Sequence, residues 1–198
     1  MNQTLRLGLA ATALGLSLNA AADFSATPSG TYALDNTHGY ILFSYSHFGF
    51  SNPNVGFNSF DTTLDLDSDN PENSTISVTI DAASIDSRVA EFNGHLVGEN
   101  FFDTATHPEI TFTSTNVAAT GANTFDVTGD LTIKGTTKPV TLAATINKAA
   151  KHPFKGTPTV GVTATGTLLR SEWGLGNYAP AVSDEVALHI EVELNKAE

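Results

Sequence analysis

The sequence predicts an all-β domain, a closed antiparallel barrel of about eight strands with one short helical or irregular insertion near residues 88–104. Three observations carry this. From Gly30 onward apolar residues recur at every second position, the period of a strand with one buried face. The periodic runs are separated by clusters of Gly, Asn, Asp, Pro and Ser, residues that reverse the chain. No run of any length repeats at the helical period. So many antiparallel strands in one domain must hide their edges, and closure does so most directly.

Residues 1–22 stand apart. One basic residue, Arg6, precedes an apolar run through Leu7, Leu9, Leu14, Leu16 and Leu18, and the stretch ends Ala20-Ala21-Ala22. This reads as a signal peptide cleaved after Ala22, too short in its apolar part to span a bilayer. Residues 23–198 then form a single domain, expected in the periplasm or secreted. No second apolar run offers a transmembrane anchor. The chain has no cysteine, so an exported fold of this kind rests on core packing and sheet hydrogen bonds. A formal charge of −12 with only nine Lys and Arg excludes nucleic acid as a partner and disfavours anionic membrane surfaces.

The strands follow in order. Tyr32 and Leu34 mark a first short one. Ile41, Phe43, Tyr45 and His47 share one face of a second, with Tyr40, Leu42, Ser44 and Ser46 opposite. Asn52-Pro53-Asn54 turns the chain into a third strand carrying Phe60, Leu64 and Leu66, with a bulge expected after Gly56. Ser74 to Asp81 places Ile76, Val78 and Ile80 on one face. Further strands are expected over 109–117, 125–133, 140–146, 160–168 and 186–194. Gly121-Ala122-Asn123 and the stretch Lys134 to Lys138 join neighbouring strands as hairpins.

Between these sets the pattern breaks. Phe101 and Phe102 are adjacent, and a regular strand cannot point both inward. Gly94, Gly98 and Pro108 permit a compact non-strand segment, and alternation resumes at Ile110 and Phe112. The stretch 95–112 is therefore expected to be a wedge or lid, with both rings facing the barrel interior and closing one end.

Candidate chemistry is sparse. The six histidines show no metal-ligand spacing, and His47, in the apolar-face register of its strand, reads as a hydrogen-bonded interior residue. Neither a Gly-x-Ser-x-Gly elbow nor a phosphate-cradling glycine loop occurs, so an enzyme is not expected. Small residues among large ones at inward positions, Gly129, Ala144, Ala164 and Gly166, leave room for an elongated apolar cavity or simply fit the barrel's taper.

Several stretches in order resemble the YceI-like family of polyisoprenoid-binding proteins. They are Tyr32-Ala33-Leu34-Asp35 with His38, Phe43 and His47; Gly56-Phe57 with Phe60; Ile80-Asp81-Ala82-Ala83-Ser84-Ile85-Asp86; and His95-Leu96 with Phe101-Phe102-Asp103 and Pro108-Glu109-Ile110-Thr111-Phe112. Gly129 to Val140, Arg170-Ser171-Glu172-Trp173-Gly174 and Asp184-Glu185-Val186 complete the set. The resemblance implies an extended, lipocalin-like barrel holding a long isoprenoid or similar amphiphile, of quinone or polyprenyl phosphate type, without catalysis and with no cofactor beyond that lipid. Family members commonly carry Arg-Asp before the His-Leu pair, whereas Asn93-Gly94 precede His95 here.

On this basis the candidate ligand-binding residues are Ile41, Phe43, Tyr45, Ile80, Phe112, Leu131, Leu142, Val162 and Leu188 along the cavity, with His47 and Phe60. Phe101 and Phe102 plug one end. His95, Trp173 and Asn177 are expected at the mouth near the head group, with Tyr178, since amphipathic rings suit a boundary between wet and dry. An open mouth is compatible with a homodimer around a shared ligand. The alternative is a cell-envelope or stress-response interaction module whose barrel has no obligate ligand.

Overall fold

The computed structural model describes residues 22–198; the stretch assigned to the signal peptide lies, apart from Ala22, outside the described residues. Ten strands and one α-helix follow in the order β1 (Gly30–His47), β2 (Asn54–Phe57), β3 (Phe60–Leu66), β4 (Thr75–Asp81), β5 (Ile85–Asp86), α1 (Ala90–Leu96), β6 (Glu109–Ala119), β7 (Thr124–Ile133), β8 (Thr136–Lys151), β9 (Pro158–Leu169) and β10 (Val182–Lys196). Every pairing is antiparallel. Eight strands close in the order β1-β10-β9-β8-β7-β6-β4-β3 and back to β1. β2 lies outside that ring on the far half of β1, and β5 pairs with β2.

The predicted first and second strands are one. β1 pairs with β10 from Tyr32 to His47, with register shifts between Leu34 and Gly39 and again between Tyr45 and His47. Its first half also pairs with β3, and Ile41–Ser44 pair instead with β2. The sequence reads as two strands because the first shift resets the alternation. The bulge expected after Gly56 is likewise a strand break: at Asn58-Ser59 the chain leaves β2 and pairs again as β3. Phe60, on β3, fills the resulting seam. Its ring comes so close to Gly39 that a Cβ there would lie 2.9 Å away, and Phe60 does not line the cavity.

The hairpins fall where turn chemistry demands. Lys134 and Gly135 both have positive φ, 48° and 73°, the two-residue turn whose twist matches its strands. β8 and β10 extend beyond the expected runs because their tips carry polar residues that still pair. At the end of the barrel holding Tyr32, Leu66, Val160 and Leu194, Phe24 folds underneath and is buried. Tyr32 is fully buried there, its hydroxyl donating to the Pro28 carbonyl at 2.8 Å.

Candidate functional site

Alternation turns one face of every barrel strand inward, and those faces enclose a cavity of about 790 Å³, in the upper part of the range for small-molecule sites. Its walls are almost wholly aliphatic and aromatic. Ile41, Phe43, Tyr45, Ile80, Phe112, Leu131, Leu142, Val162 and Leu188 all line it, each on the face that strand register predicts.

The small residues act less directly than expected. Ala144 and Ala164 form bare wall. Gly129 leaves no void, since a Cβ there would meet the Phe112 ring at 2.4 Å and the Thr113 carbonyl at 2.5 Å; at Gly166 one would meet Leu142 at 2.6 Å. These glycines let large neighbours lie back against the wall, which keeps the centre open.

The end opposite Phe24 is roofed by α1, residues 97–108 and the short 3-10 turn Arg170–Trp173. Phe102 is buried, its ring 6.4 Å from Phe43 and 5.7 Å, edge-on, from Phe57. Phe101 is half-buried between Phe92 and Tyr178, 6.5 and 6.4 Å away. Both rings face the cavity, as expected from the break in alternation. The irregular backbone that allows this is tied by its own hydrogen bonds: Phe102 N–H donates to the Leu96 carbonyl at 3.0 Å and His107 N–H to that of Asp103 at 2.8 Å. Asn93, where the family pattern has a charged residue, clamps the approach to α1. Its carbonyl oxygen accepts from the Ser87 N–H and hydroxyl, and its amide donates to Asp86 at 2.9 Å. That bond, with one from the Arg88 N–H, holds the Asp86 carboxyl below the usual range.

The mouth lies in this roof, where lining residues reach solvent: His47, Phe48, Val89, His95, Asn177 and Tyr178. Asn177 straps it, donating to the Asn100 carbonyl at 2.5 Å. Two expectations are corrected here. His47 is exposed at the rim with its ring edge-on to Phe48, centroids 4.6 Å apart, because β1 ends there and its inward register opens onto solvent. Trp173 is buried inside the roof instead of standing at the mouth, its indole N–H donating to the Leu131 carbonyl at 3.3 Å. The 3-10 turn carries it inward, which the sequence pattern does not reveal.

Arg170 was not singled out from the sequence, although it opens the Arg170-Ser171-Glu172-Trp173-Gly174 motif. It lines the cavity beside Tyr45. Nε donates to the Ser183 carbonyl at 2.8 Å, Nη2 to that of Val182 at 2.9 Å, and Nη1 to that of Leu175. Among the described residues no carboxylate lies within ion-pair distance of it. Burial lowers its pKa, and burial raises that of Tyr45 against the opposing pull of Arg170. A guanidinium has five N–H groups; three bonds to carbonyls leave two.

One group with metal-ligating atoms within reach of one another, Asp35, His38 and Glu193, sits on β1 and β10 away from the cavity. Asp35 is already engaged. Lys155 pairs with it at 2.6 Å, and Thr37 and Asn195 donate to it, which holds its carboxyl far below the usual range, Lys155 foremost. The cluster pins the β8–β9 turn to the β1 irregularity.

Closed eight-stranded barrel, apolar chamber, one mouth: these define the class of single-domain antiparallel barrels built around an internal cavity. The family model for the YceI-like domain matches residues 32–194, and the chain belongs to that family. A "UPF0312 protein" of Pseudomonas putida strain W619 is 39% identical over 191 residues, 96% of this chain and 97% of the relative. One from Pseudomonas savastanoi pv. phaseolicola is 38% identical over 178 residues, 89% and 91% of the two chains. Among solved structures, Burkholderia cenocepacia BcnA superposes with TM-score 0.74 at 25% identity, covering 81% of this chain and 98% of that one. The Campylobacter jejuni YceI protein gives 0.70 at 30%, covering 75% and 88%. A polyisoprenoid binding domain from Saccharophagus degradans, implicated in plant cell wall breakdown, shares the fold at TM-score 0.61 and 15% identity, covering 84% and 98%. No helix among the described residues is long and apolar enough to cross a membrane.

Proposed function

We propose that this protein is an exported carrier that holds a polyisoprenoid or similar long-chain amphiphile in its barrel for transport, storage or sequestration. One observation carries the reading: the 790 Å³ chamber is lined almost wholly by aliphatic and aromatic side chains, with Thr62 and Ser74 its polar residues below the roof and His47, Ser87, His95, Arg170 and Asn177 gathered at the roof. Each methylene taken out of water contributes roughly 0.8 kcal/mol, so a long tail there is held without polar contacts. The polyisoprenoid binding domain from Saccharophagus degradans, built on the same fold, points the same way. The head group then sits at the mouth, near His95, Tyr45 and the two remaining N–H groups of Arg170, which favour an oxygen-bearing group such as a quinone carbonyl or a phosphate. The tail and these contacts require no catalysis.

The test is organic extraction of protein purified from an isoprenoid-producing host, followed by mass spectrometry. A long-chain isoprenoid in stoichiometric amount is expected. An empty extract, with no uptake of added long-chain quinone, would leave the barrel a bare scaffold and end the carrier reading. Export is tested separately: N-terminal sequencing of the periplasmic form should begin at Asp23.

A further inference from the structure

We propose that one lip of the mouth is a bilayer-docking surface, seating the protein on an uncharged or zwitterionic lipid face so that cargo passes between membrane and cavity without crossing water. The proposal rests on the carrier reading for its purpose, and on separate observations for its location. Of the seven large apolar residues exposed among the described residues, four stand together at one end, while Tyr40 on β1, Leu169 at the end of β9 and Phe154 in the β8–β9 turn stand singly. Phe50 is 91% exposed, Tyr178 71%, Val89 56% and Phe48 55%, all around the mouth. Phe48, Val89 and Tyr178 also line the cavity, so apolar lining continues onto the outer surface at these three residues.

Two of the segments that form the lip are also free of charge, whereas the third, around Val89, carries Arg88 and Glu91. Residues 48–53, Phe-Gly-Phe-Ser-Asn-Pro, and 174–182, Gly-Leu-Gly-Asn-Tyr-Ala-Pro-Ala-Val, contain no Asp, Glu, Lys or Arg in a chain of formal charge −12. The two segments are neighbours, joined where Phe48 N–H donates to the Ala181 carbonyl at 2.9 Å. A charged residue beside a bilayer costs desolvation, whereas Phe and Tyr side chains favour the interface. A second copy of this chain is the other candidate occupant, but two molecules of charge −12 repel each other as they approach. An uncharged lipid face does not. The acidic remainder of the surface makes the same prediction in another form, that anionic lipid weakens docking.

The experiment is co-sedimentation of the mature chain with phosphatidylcholine vesicles containing no isoprenoid lipid, so that docking is read independently of cargo. The wild type is expected to pellet with the vesicles, less so when phosphatidylglycerol is added. Phe50→Ser, a change at a side chain that does not line the cavity, should lower the partition coefficient about tenfold. Phe154→Ser serves as control: Phe154 is 95% exposed in the β8–β9 turn at the far end of the barrel, and this variant should bind like wild type. Equal behaviour of the two variants, or no vesicle binding by wild-type protein that still yields isoprenoid on extraction, overturns the proposal. So does a dimer in sedimentation without vesicles that Phe50→Ser converts to monomer, which would make the lip a self-interface. Vesicle binding by a barrel that never holds lipid would sustain the docking surface and sink the carrier reading instead.

Discussion

Phe102 and His95 stand a few residues apart in one roof and should behave oppositely. Phe102 is buried against Phe43 and Phe57, so Phe102→Ala should cost about 3–5 kcal/mol in denaturant unfolding, the range for truncating a core ring, and release co-purified lipid. His95 is exposed at the mouth, so His95→Ala should leave the unfolding midpoint in place and lower lipid content. Leu142 faces the open chamber with Gly166 behind it. Leu142→Trp should therefore fill the tunnel and reduce extracted lipid while the far-UV spectrum stays that of the barrel. Wall residues such as these were legible because strand alternation alone decides which way they point. Trp173, His47 and Arg170 were not, since their directions are set by a 3-10 turn, a strand end and a loop's carbonyls, none of which leaves a periodic trace.

Among the elements, β1 illustrates both the reach and the limit of pattern reading. Its two alternating halves were visible, but a register shift between Leu34 and Gly39 looks in sequence like the end of one strand and the start of another. What secures that shift is the Asp35 carboxylate, held locally by Thr37 and gripped by Lys155 and Asn195, two contacts made across long separations that no local signal announces. Because these bonds hold the Asp35 carboxyl below its usual range, its stabilising contribution is complete above the ordinary carboxylate pKa of about 3.9. It is lost as pH falls from there through the depressed folded-state value. Asp67, Asp86 and Asp184 are lowered too, so acid destabilisation is shared. Thermal melts at pH 7 and pH 3 should show a smaller drop for Asp35→Asn than for wild type, from a lower starting point. An equal drop would mean that Asp35 is not among the groups responsible.

For the molecule as a whole, closure, strand number and the insertion were readable because many weak periodic signals agreed with one another and with the need to hide edges. The seam where the barrel closes carries a consequence in time as well as space. β1 and β10 meet across nearly the whole chain, Tyr32 opposite Lys196 and Tyr45 opposite Val186. β1 thus waits for β10, made about 135 residues after it. Until β10 arrives the remaining strands form an open sheet with two unpaired borders, each a template for another chain, and contacts of such long sequence separation are slow to form. Deleting residues 182–198 should accordingly yield insoluble protein, whereas supplying that segment as a separate peptide during refolding should restore some soluble material. The newly made chain is most vulnerable just before β10 appears, a window in which a chaperone able to shield bare strand edges would have the most to do.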